Sequence, residues 1–451
     1  MLTFLRKKTK GIIIAVAVIF VATMFYGVIS SRGVGGREQS RPSSSIAKVN
    51  GQELDSHRYR EIMSRLINQL GQEIRPQDLS FVQNMALGQT VDFTLILAAA
   101  KKSVKVSNQE VKMALDGIIK QEKIPSEKEL ATALKQIGLT LPKFKQLVKD
   151  EIMVQKMVTK IKNEVTVGPN DLREIKASHI LVTEEALAKE LLAKLAKGAS
   201  FAALAEQYST DPGSKNKGGD LGYFSTGMMV APFEKAAFAL KVGEMSGVVQ
   251  SSFGYHLITI TDSRLRKFTG EEKDVEKAAL AEKQAKVFRQ WFSEIKEKAK
   301  VEIINPMLKA HDLRFKGRAF EAVQEYKKAI AQEPHNPYLH IFLGDTYSTS
   351  DKSELAIAEY EEAVKLEGGN PELHMLLAGV YENNKLKDKA VAQYKKASLV
   401  AGEDKALHEK LLAKFKELKA WAEVKDEQAE IKRIEKKEKF VEELNEAAPK
   451  D

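Results

Sequence analysis

Apolar and polar residues follow different periods in successive parts of the chain, and these periods divide it into segments. The first segment is an uncharged apolar run over residues 11–29, which Arg6, Lys7, Lys8 and Lys10 precede. A helix of this length, at about 1.5 Å per residue, nearly crosses the ~30 Å hydrocarbon core of a membrane. The sequence therefore predicts a transmembrane anchor over residues 11–30.

The basic flank of this run predicts its orientation. Segments rich in Lys and Arg stay in the cytoplasm, so residues 1–10 are predicted to be a cytoplasmic tail. A cleaved signal peptide is the alternative, but its apolar region usually has only ~7–15 residues and ends at a small-x-small site. Val28-Ile29-Ser30 matches such a site poorly. We expect a single-pass protein of the cytoplasmic (inner) membrane, N-terminus inside, with the bulk of the chain periplasmic or extracytoplasmic.

A helical unit is predicted after a short linker. Residues 31–45 are rich in Ser, Gly and Arg and lack an apolar period, which indicates a flexible linker. A strand-like run follows over Ile46–Gly51, and helical periodicity then extends to about Lys162. Ser107 is placed to cap one of these helices. Residues 46–170 are therefore predicted to be a helical unit without a polar pattern that indicates chemistry.

A second part of this unit is predicted after residue 265. This part is predicted to be a long amphipathic helix that ends in the apolar run Val301–Ile304. That run can pair with Ile46–Val49. In that case residues 266–305 complete the helical unit. Residues 171–265 are then a domain inserted into it.

The last third of the chain contains an internal repeat with an interval of 34 residues. The order of small and aromatic positions resembles tetratricopeptide repeats, in which two helices approach closely and tyrosines fill the gaps between hairpins. The resemblance implies an α-solenoid with a capping helix over residues 306–430 and a charged tail over residues 431–451. Only the second helix of the first repeat is in register. The recurring positions are Ala322, Ala356 and Ala390; Tyr326, Tyr360 and Tyr394; and Ala329, Ala363 and Ala397.

Histidines also recur at this interval, at His340, His374 and His408. A shared metal ion is not expected, because stacked repeats lie ~10 Å apart whereas metal–nitrogen bonds are ~2 Å long. Each histidine occupies a position where this repeat family often has an aromatic residue. We therefore expect no metal.

Composition excludes several classes of function. The chain has no cysteine, which excludes disulfides, thiolate metal sites, a catalytic thiol and a lipidated cysteine. Lys and Arg exceed Asp and Glu by nine, but they are spread along helices, which favours a solvated surface over nucleic-acid binding. A chain of 451 residues exceeds the ~250 residues of a single core, so we expect about three domains.

The inserted segment carries the chemistry. Residues 176–262 are predicted to form a strand, two helices, a glycine-rich loop, a strand, a helix and two strands. Their motifs resemble the parvulin family of peptidyl-prolyl cis/trans isomerases. The matching blocks are Ser178-His179-Ile180-Leu181, Tyr208-Ser209-x-Asp211, Gly218-Gly219-Asp220-Leu221-Gly222-x-Phe224, Pro232-Phe233, Gly243-Glu244 and Gly254-x-His256.

The reaction that this resemblance implies needs no covalent step and no cofactor. Amide resonance opposes rotation about an Xaa-Pro bond by ~18–20 kcal/mol, and the cis and trans forms lie close in energy. A dry pocket for the proline ring and polar groups that favour the twisted carbonyl suffice in principle. By resemblance, the polar groups are His179, Asp211 and His256, and the substrate-binding residues are Leu221, Phe224, Met229, Phe233, Phe253 and Tyr255.

The roles of the polar residues stay open at this point. His179 and His256 lie in strands that are adjacent in the parvulin family, where they either act in catalysis or only hold the sheet together. Asp211 either tunes the histidines or acts electrostatically on the substrate carbonyl. No Arg- or Lys-rich loop follows the first strand, so we expect an unmodified rather than a phosphorylated substrate.

The order of the parts resembles bacterial envelope foldases of the PpiD, SurA and PrsA type, without the repeats. The resemblance implies a mainly α multidomain fold with a transmembrane helix, a SurA-like helical chaperone unit, an α+β parvulin domain and the α-solenoid. We expect an isomerase and chaperone for unfolded or nascent exported polypeptides that contain Xaa-Pro, with an unknown protein partner on the repeats. The alternative is an inactive holdase or scaffold.

Overall fold

The computed structural model of the chain describes residues 45–70, 76–266 and 275–447. The predicted cytoplasmic tail, the predicted anchor and nearly all of the predicted linker lie outside these residues. Within the described ranges, no helix is both long and apolar enough to cross a membrane. The described residues divide into two compact units: those within Lys156–Ile295 form one, and those before and after this range form the other.

The discontinuous unit begins with a small sheet in the order β2-β1-β7. Ala47 pairs with Ile303 and Val49 with Val301 in antiparallel register, so the predicted pairing of the two distant runs is confirmed. Helices follow β2, and the last of them continues into the inserted unit. The elements are β1 (Ala47–Val49), β2 (Gln52–Glu53), α1 (Ser56–Leu70), α2 (Leu79–Ser103), α3 (Asn108–Gln121), α4 (Glu127–Gln136), α5 (Leu141–Asn163) and β7 (Val301–Ile303).

Local signals explain where these helices begin. Ser107 caps α3 as predicted: its hydroxyl accepts from the backbone N–H of Glu110, whose carboxylate accepts from the N–H of Ser107. Apolar residues of α3, α4 and α5 then share one core, which includes Ile118, Leu130 and Phe144. Packing of these amphipathic faces supplies most of the stability of such helices.

The repeats form helical hairpins that continue from β7. Asparagine caps followed by proline start the first helix of three hairpins, at Asn305, Asn336 and Asn370. The first hairpin is complete, although only its second helix was in register in the sequence. The helices are α10 (Pro306–Phe315), α11 (Ala319–Gln332), α12 (Pro337–Ser348), α13 (Ser353–Leu366), α14 (Pro371–Asn383), α15 (Lys387–Val400), α16 (Lys405–Glu417) and α17 (Trp421–Ala447).

Each recurring histidine bonds to the second helix of its own hairpin. The Nδ1 atoms of His340 and His408 lie 2.7 Å from carboxylate oxygens of Glu359 and Glu427, respectively. The Nδ1 atom of His374 lies 2.8 Å from the amide oxygen of Gln393. Across the described residues, no group of three or more His, Cys, Asp or Glu side chains is placed to hold a metal ion.

The first hairpin packs against α2. Nε2 of His311 lies 2.7 Å from Oε1 of Gln83, and the Phe81 and Phe315 rings meet edge to face at 5.9 Å. His311 is completely buried, and burial lowers its pKa to about 3. The repeats and the N-terminal helices therefore belong to one compact unit.

The inserted unit contains a four-stranded antiparallel sheet in the order β4-β3-β6-β5. Helices α6 and α7 cover one face, where they enclose a core with Ile180 and Leu257. Helix α8 covers the other face and packs on Ile175 and Ile258. The elements follow the predicted order: β3 (Arg173–Val182), α6 (Glu185–Ala196), α7 (Phe201–Tyr208), β4 (Asp220–Phe224), α8 (Ala231–Ala239), β5 (Val249–Ser251) and β6 (Gly254–Leu265), followed by α9 (Val275–Glu297).

Candidate active site

Two histidines meet on the α8 face of the sheet. His179 on β3 is paired in register with Ile258, and His256 on β6 with Leu181, so the histidines are diagonal neighbours on adjacent strands. Their rings stack with centroids 5.5 Å apart, and their Nδ1 atoms lie 3.3 Å apart. Both side chains are buried. The contact expected from the sequence is therefore present.

Asp211 lies at one end of this pair. Its Oδ2 atom is 2.9 Å from Nε2 of His179 and also accepts from the hydroxyl of Ser214, while Oδ1 accepts from the N–H of Gly213 at 3.2 Å. Burial raises the pKa of Asp211, but the hydrogen bonds from Ser214 and His179 outweigh this effect and lower the pKa to about 2. The carboxylate is therefore ionised at neutral pH.

Ser251 lies at the other end. Its Oγ atom is 2.6 Å from Nε2 of His256 and accepts from the backbone N–H of Phe253 at 3.0 Å. Burial and the adjacent His179 ring lower the pKa of His256 to about 4. His256 is therefore neutral at neutral pH, and one of its two ring nitrogens carries the proton.

These contacts link four side chains in a row. The ionised Asp211 only accepts, so Nε2 of His179 carries a hydrogen. The two Nδ1 atoms share a second hydrogen bond, and Nε2 of His256 shares a third with the Ser251 hydroxyl. We call Ser251, His256, His179 and Asp211 the polar chain. Every ring nitrogen in it has a partner.

An apolar cluster adjoins the polar chain. The Phe233 ring on α8 stands edge-on to His179 and His256, with centroid distances of 5.6 and 5.2 Å. Phe224 lies 6.1 Å from Phe233, and the half-buried Leu221 and Met229 pack against the same core. We call Leu221, Phe224, Met229 and Phe233 the apolar cluster.

Glycines of the loop motif hold the backbone at this site. Gly219 has a φ of +83°, and a Cβ atom there would lie 2.3 Å from the carbonyl oxygen of His179. The N–H of His179 donates to the carbonyl of Gly219 at 2.9 Å. Only glycine fits this close approach without strain. The loop therefore fixes the backbone from which the His179 ring projects.

Comparison with known families and proteins assigns these parts. Residues 156–264 match the PPIC-type PPIASE domain, residues 1–158 the SurA-like N-terminal domain, and residues 338–370 a tetratricopeptide repeat. Foldase protein PrsA of Caldanaerobacter subterraneus is 28% identical over 308 residues, which cover 63% of this chain and 94% of the relative. Foldase protein PrsA 3 of Bacillus anthracis is 32% identical over 255 residues, which cover 56% of this chain and 86% of the relative.

The chain belongs to the PrsA foldase family. Its inserted unit contains a parvulin-type peptidyl-prolyl isomerase domain, as the motifs predicted. A crystal structure of the PrsA peptidylprolyl isomerase from Bacillus anthracis is 36% identical and covers 47% of this chain and 96% of its own, with a TM-score of 0.27.

Two predicted site residues of the PrsA-family isomerase domain lie outside the apolar cluster. Tyr255 packs against the α6–α7 core, because side chains alternate along β6 and its neighbour His256 faces α8. Tyr255 therefore lies on the sheet face opposite the two histidines, and its role in substrate binding stays a prediction. Phe253 lies in the β5–β6 turn with 65% of its surface exposed. Its contribution to the site is its backbone N–H, which donates to Ser251.

Two hydroxyl residues of the site were missed in the sequence. Ser214 follows Asp211 by three residues and shares its carboxylate, and Ser251 precedes His256 by five residues across a tight turn. Serine is common in turns for local reasons, so neither position stands out by residue type. The useful signal is their short distance in sequence from residues already placed in the motif.

Proposed function

We propose that the apolar cluster holds the proline ring of an Xaa-Pro substrate and that His179, Asp211 and His256 form the polar side of the site. The observation that carries this proposal is the position of Phe233, whose ring contacts both histidine rings edge-on. A single aromatic side chain thus joins the apolar cluster to the polar chain. A proline bound against it would place its preceding amide beside polar groups.

The site suits a reaction in which only a bond rotation is catalysed. A pocket that binds the twisted amide better than either planar form lowers the barrier without a nucleophile. His256 is buried and neutral because its pKa is about 4. An uncharged wall beside Phe233 favours the twisted form, since loss of amide resonance makes that form less polar.

Asp211 acts in this proposal through the histidines rather than on the substrate. Its carboxylate already accepts hydrogen bonds from His179, Ser214 and Gly213. These bonds fix the orientation of the His179 ring, and that ring fixes His256 in turn. The two histidines therefore position the wall of the pocket, a role in which structure and catalysis are linked.

The test is the exchange rate between cis and trans forms of an Xaa-Pro peptide, measured by NMR with the full-length chain. The double variant Met229→Ala and Phe233→Ala should lose acceleration, because each truncation removes apolar surface worth ~1.5–3 kcal/mol from the pocket. Phe320→Ala is the matched control, since this ring is exposed on the repeats. Full activity in the double variant would exclude the proposed pocket.

We also propose that the substrates are unfolded or nascent exported polypeptides at the outer face of the cytoplasmic membrane. The relatives are named foldases, and residues 11–29 supply the apolar run of an anchor. The intact chain should then sediment with the membrane fraction. Protease added to the outside of intact spheroplasts should digest it. Full protection from the protease would contradict this topology.

A chaperone activity is the second candidate, and one groove favours it. An apolar groove of about 480 Å³ lies between the end of α5 and α9, and its lining includes Met157, Ile161, Val287 and Trp291. Such a surface suits an extended apolar segment of an unfolded chain. Ile161→Asp should weaken suppression of client aggregation while Xaa-Pro exchange continues, and unchanged suppression would argue against this groove.

We propose that an additional protein binds the repeats. A groove of about 1210 Å³ there is lined in part by Met375, Leu376 and Val380. Because α10 packs on α2, deletion of the repeats would uncover α2, so a surface substitution is the cleaner test. Leu376→Glu should abolish a partner interaction that the unsubstituted chain makes, and retention of that interaction would exclude this groove.

A further inference from the structure

The loop between β4 and α8 carries part of the proposed pocket. This loop, Ser225–Val230, contains Met229 of the apolar cluster and leads directly into the helix that bears Phe233. Its internal hydrogen bonds to the backbone join only Ser225 and Met228: the N–H of Met228 donates to the carbonyl of Ser225 at 3.3 Å, and the N–H of Ser225 donates to the sulfur of Met228 at 3.4 Å. Contacts with other segments must therefore contribute to its position. We call it the pocket loop.

Asp171 links the pocket loop to two other segments. Its Oδ1 atom lies 3.4 Å from the hydroxyl of Thr226 in the loop. Its Oδ2 atom accepts from the N–H of Gly168 at 2.8 Å and from Nζ of Lys283 on α9 at 2.7 Å. The Asp171 side chain is only 16% exposed. One carboxylate thus joins the entry of the isomerase domain, the pocket loop and α9.

Helix α9 reaches the pocket loop at a second point. A Cβ atom on Gly227 would lie 2.5 Å from Nζ of Lys286, so this lysine lies directly against the loop backbone. The N–H of Gly227 also donates to Glu234 in the first turn of α8 at 2.5 Å. Movement of α9 along its axis would therefore displace groups in contact with the loop.

The far end of α8 is held by a different residue of the entry segment. Nη2 of Arg173 donates to the carbonyl of Phe238 at 2.7 Å. No part of α9 takes part in that bond. The contacts with α9 through Lys283 and Lys286 are consequently directed at the loop side of α8, where Met229 lies.

We propose that Asp171, Thr226 and Lys283 are positioning residues that couple α9 to the pocket loop and so set the affinity of the pocket for a prolyl peptide. This inference rests on the proposed pocket. Along the chain, α9 leads directly into β7 of the other compact unit. A force or a bound polypeptide that shifts α9 would change peptide affinity without touching the pocket itself.

The test measures the Kd of an Xaa-Pro peptide and the exchange rate at saturation, with the full-length chain. Lys283→Met and Thr226→Val should each raise Kd about two- to fivefold, as expected for a partly exposed ion pair and its neighbour, and leave the saturated rate unchanged. The double variant should equal the larger single effect, because both changes break the same link. In the unsubstituted chain added salt should weaken binding, and in Lys283→Met it should not.

Gln284→Met is the matched control on the same helix. It removes the hydrogen bond from Nε2 of Gln284 to the carbonyl of Lys162, which lies at 3.0 Å and does not involve Asp171. Equal increases in Kd for Gln284→Met and Lys283→Met would overturn the proposal, because helix packing in general would then be responsible. An unchanged Kd in Lys283→Met would also overturn it. If Met229→Ala with Phe233→Ala leaves Kd unchanged, the proposed pocket itself fails, which is a separate result.

Discussion

Acid should destabilise the isomerase domain through His256. The pKa of this buried histidine falls from 6.5 to about 4 on folding, so between these values the unfolded chain binds a proton that the folded domain excludes. The stabilisation is therefore complete above pH 6.5 and is lost as the pH falls toward 4. The full loss corresponds to about 3 kcal/mol, and about 2 kcal/mol of it has occurred at pH 5.

Hydrogen exchange of the β3 and β6 amides, detected by mass spectrometry, measures this effect within the domain. After correction for the intrinsic exchange rates, the unsubstituted chain should lose about 2 kcal/mol of protection between pH 7.5 and pH 5. His256→Asn cannot titrate in this range and should lose correspondingly less. His340→Asn, in the repeats, is the control and should behave as the unsubstituted chain does. If protection of the β3 and β6 amides depends on pH equally in the unsubstituted chain and in His256→Asn, the reasoning is refuted.

Two further substitutions test the geometry of the site. Ser251→Ala should leave Nε2 of His256 buried without a partner, at a cost of ~1–3 kcal/mol, and should slow Xaa-Pro exchange, whereas Ser251→Thr keeps the hydroxyl and the rate. Gly219→Ala should lower the thermal midpoint of the isomerase domain and displace His179. Gly222 also has a positive φ, but a Cβ atom there would have nothing within 4 Å, so Gly222→Ala should lower the midpoint less. Similar losses for the two alanines would contradict the role given to close packing at Gly219.

The sequence was most informative where residues act through fixed spacing. The motif blocks placed His179 and His256 on adjacent strands, and the recurring Ala and Tyr positions defined the helical hairpins. The pairing of Ile46–Val49 with Val301–Ile304 followed from two short apolar runs. In each case a periodic or ordered pattern carries information about neighbours that lie far apart in the chain.

Other features depend on contacts that no sequence pattern indicates. Tyr255 was expected by resemblance to bind substrate, and alternation along β6 places it on the face opposite His256. Gln83 and His311 lie 228 residues apart and bond at the base of the repeats. Polar residues of these types occur throughout the surface, so only the folded chain distinguishes them from solvated ones.

The pairing of β1 with β7 has a consequence for the order in which the protein is made. The N–H of Lys300 donates to Asn50, which precedes it by 250 residues. At ~5–20 residues per second, roughly 13–50 seconds of synthesis separate these partners. The strands of the isomerase domain emerge between them and can pair first. A newly made chain would thus possess a folded isomerase domain while the edge of β1 is still open.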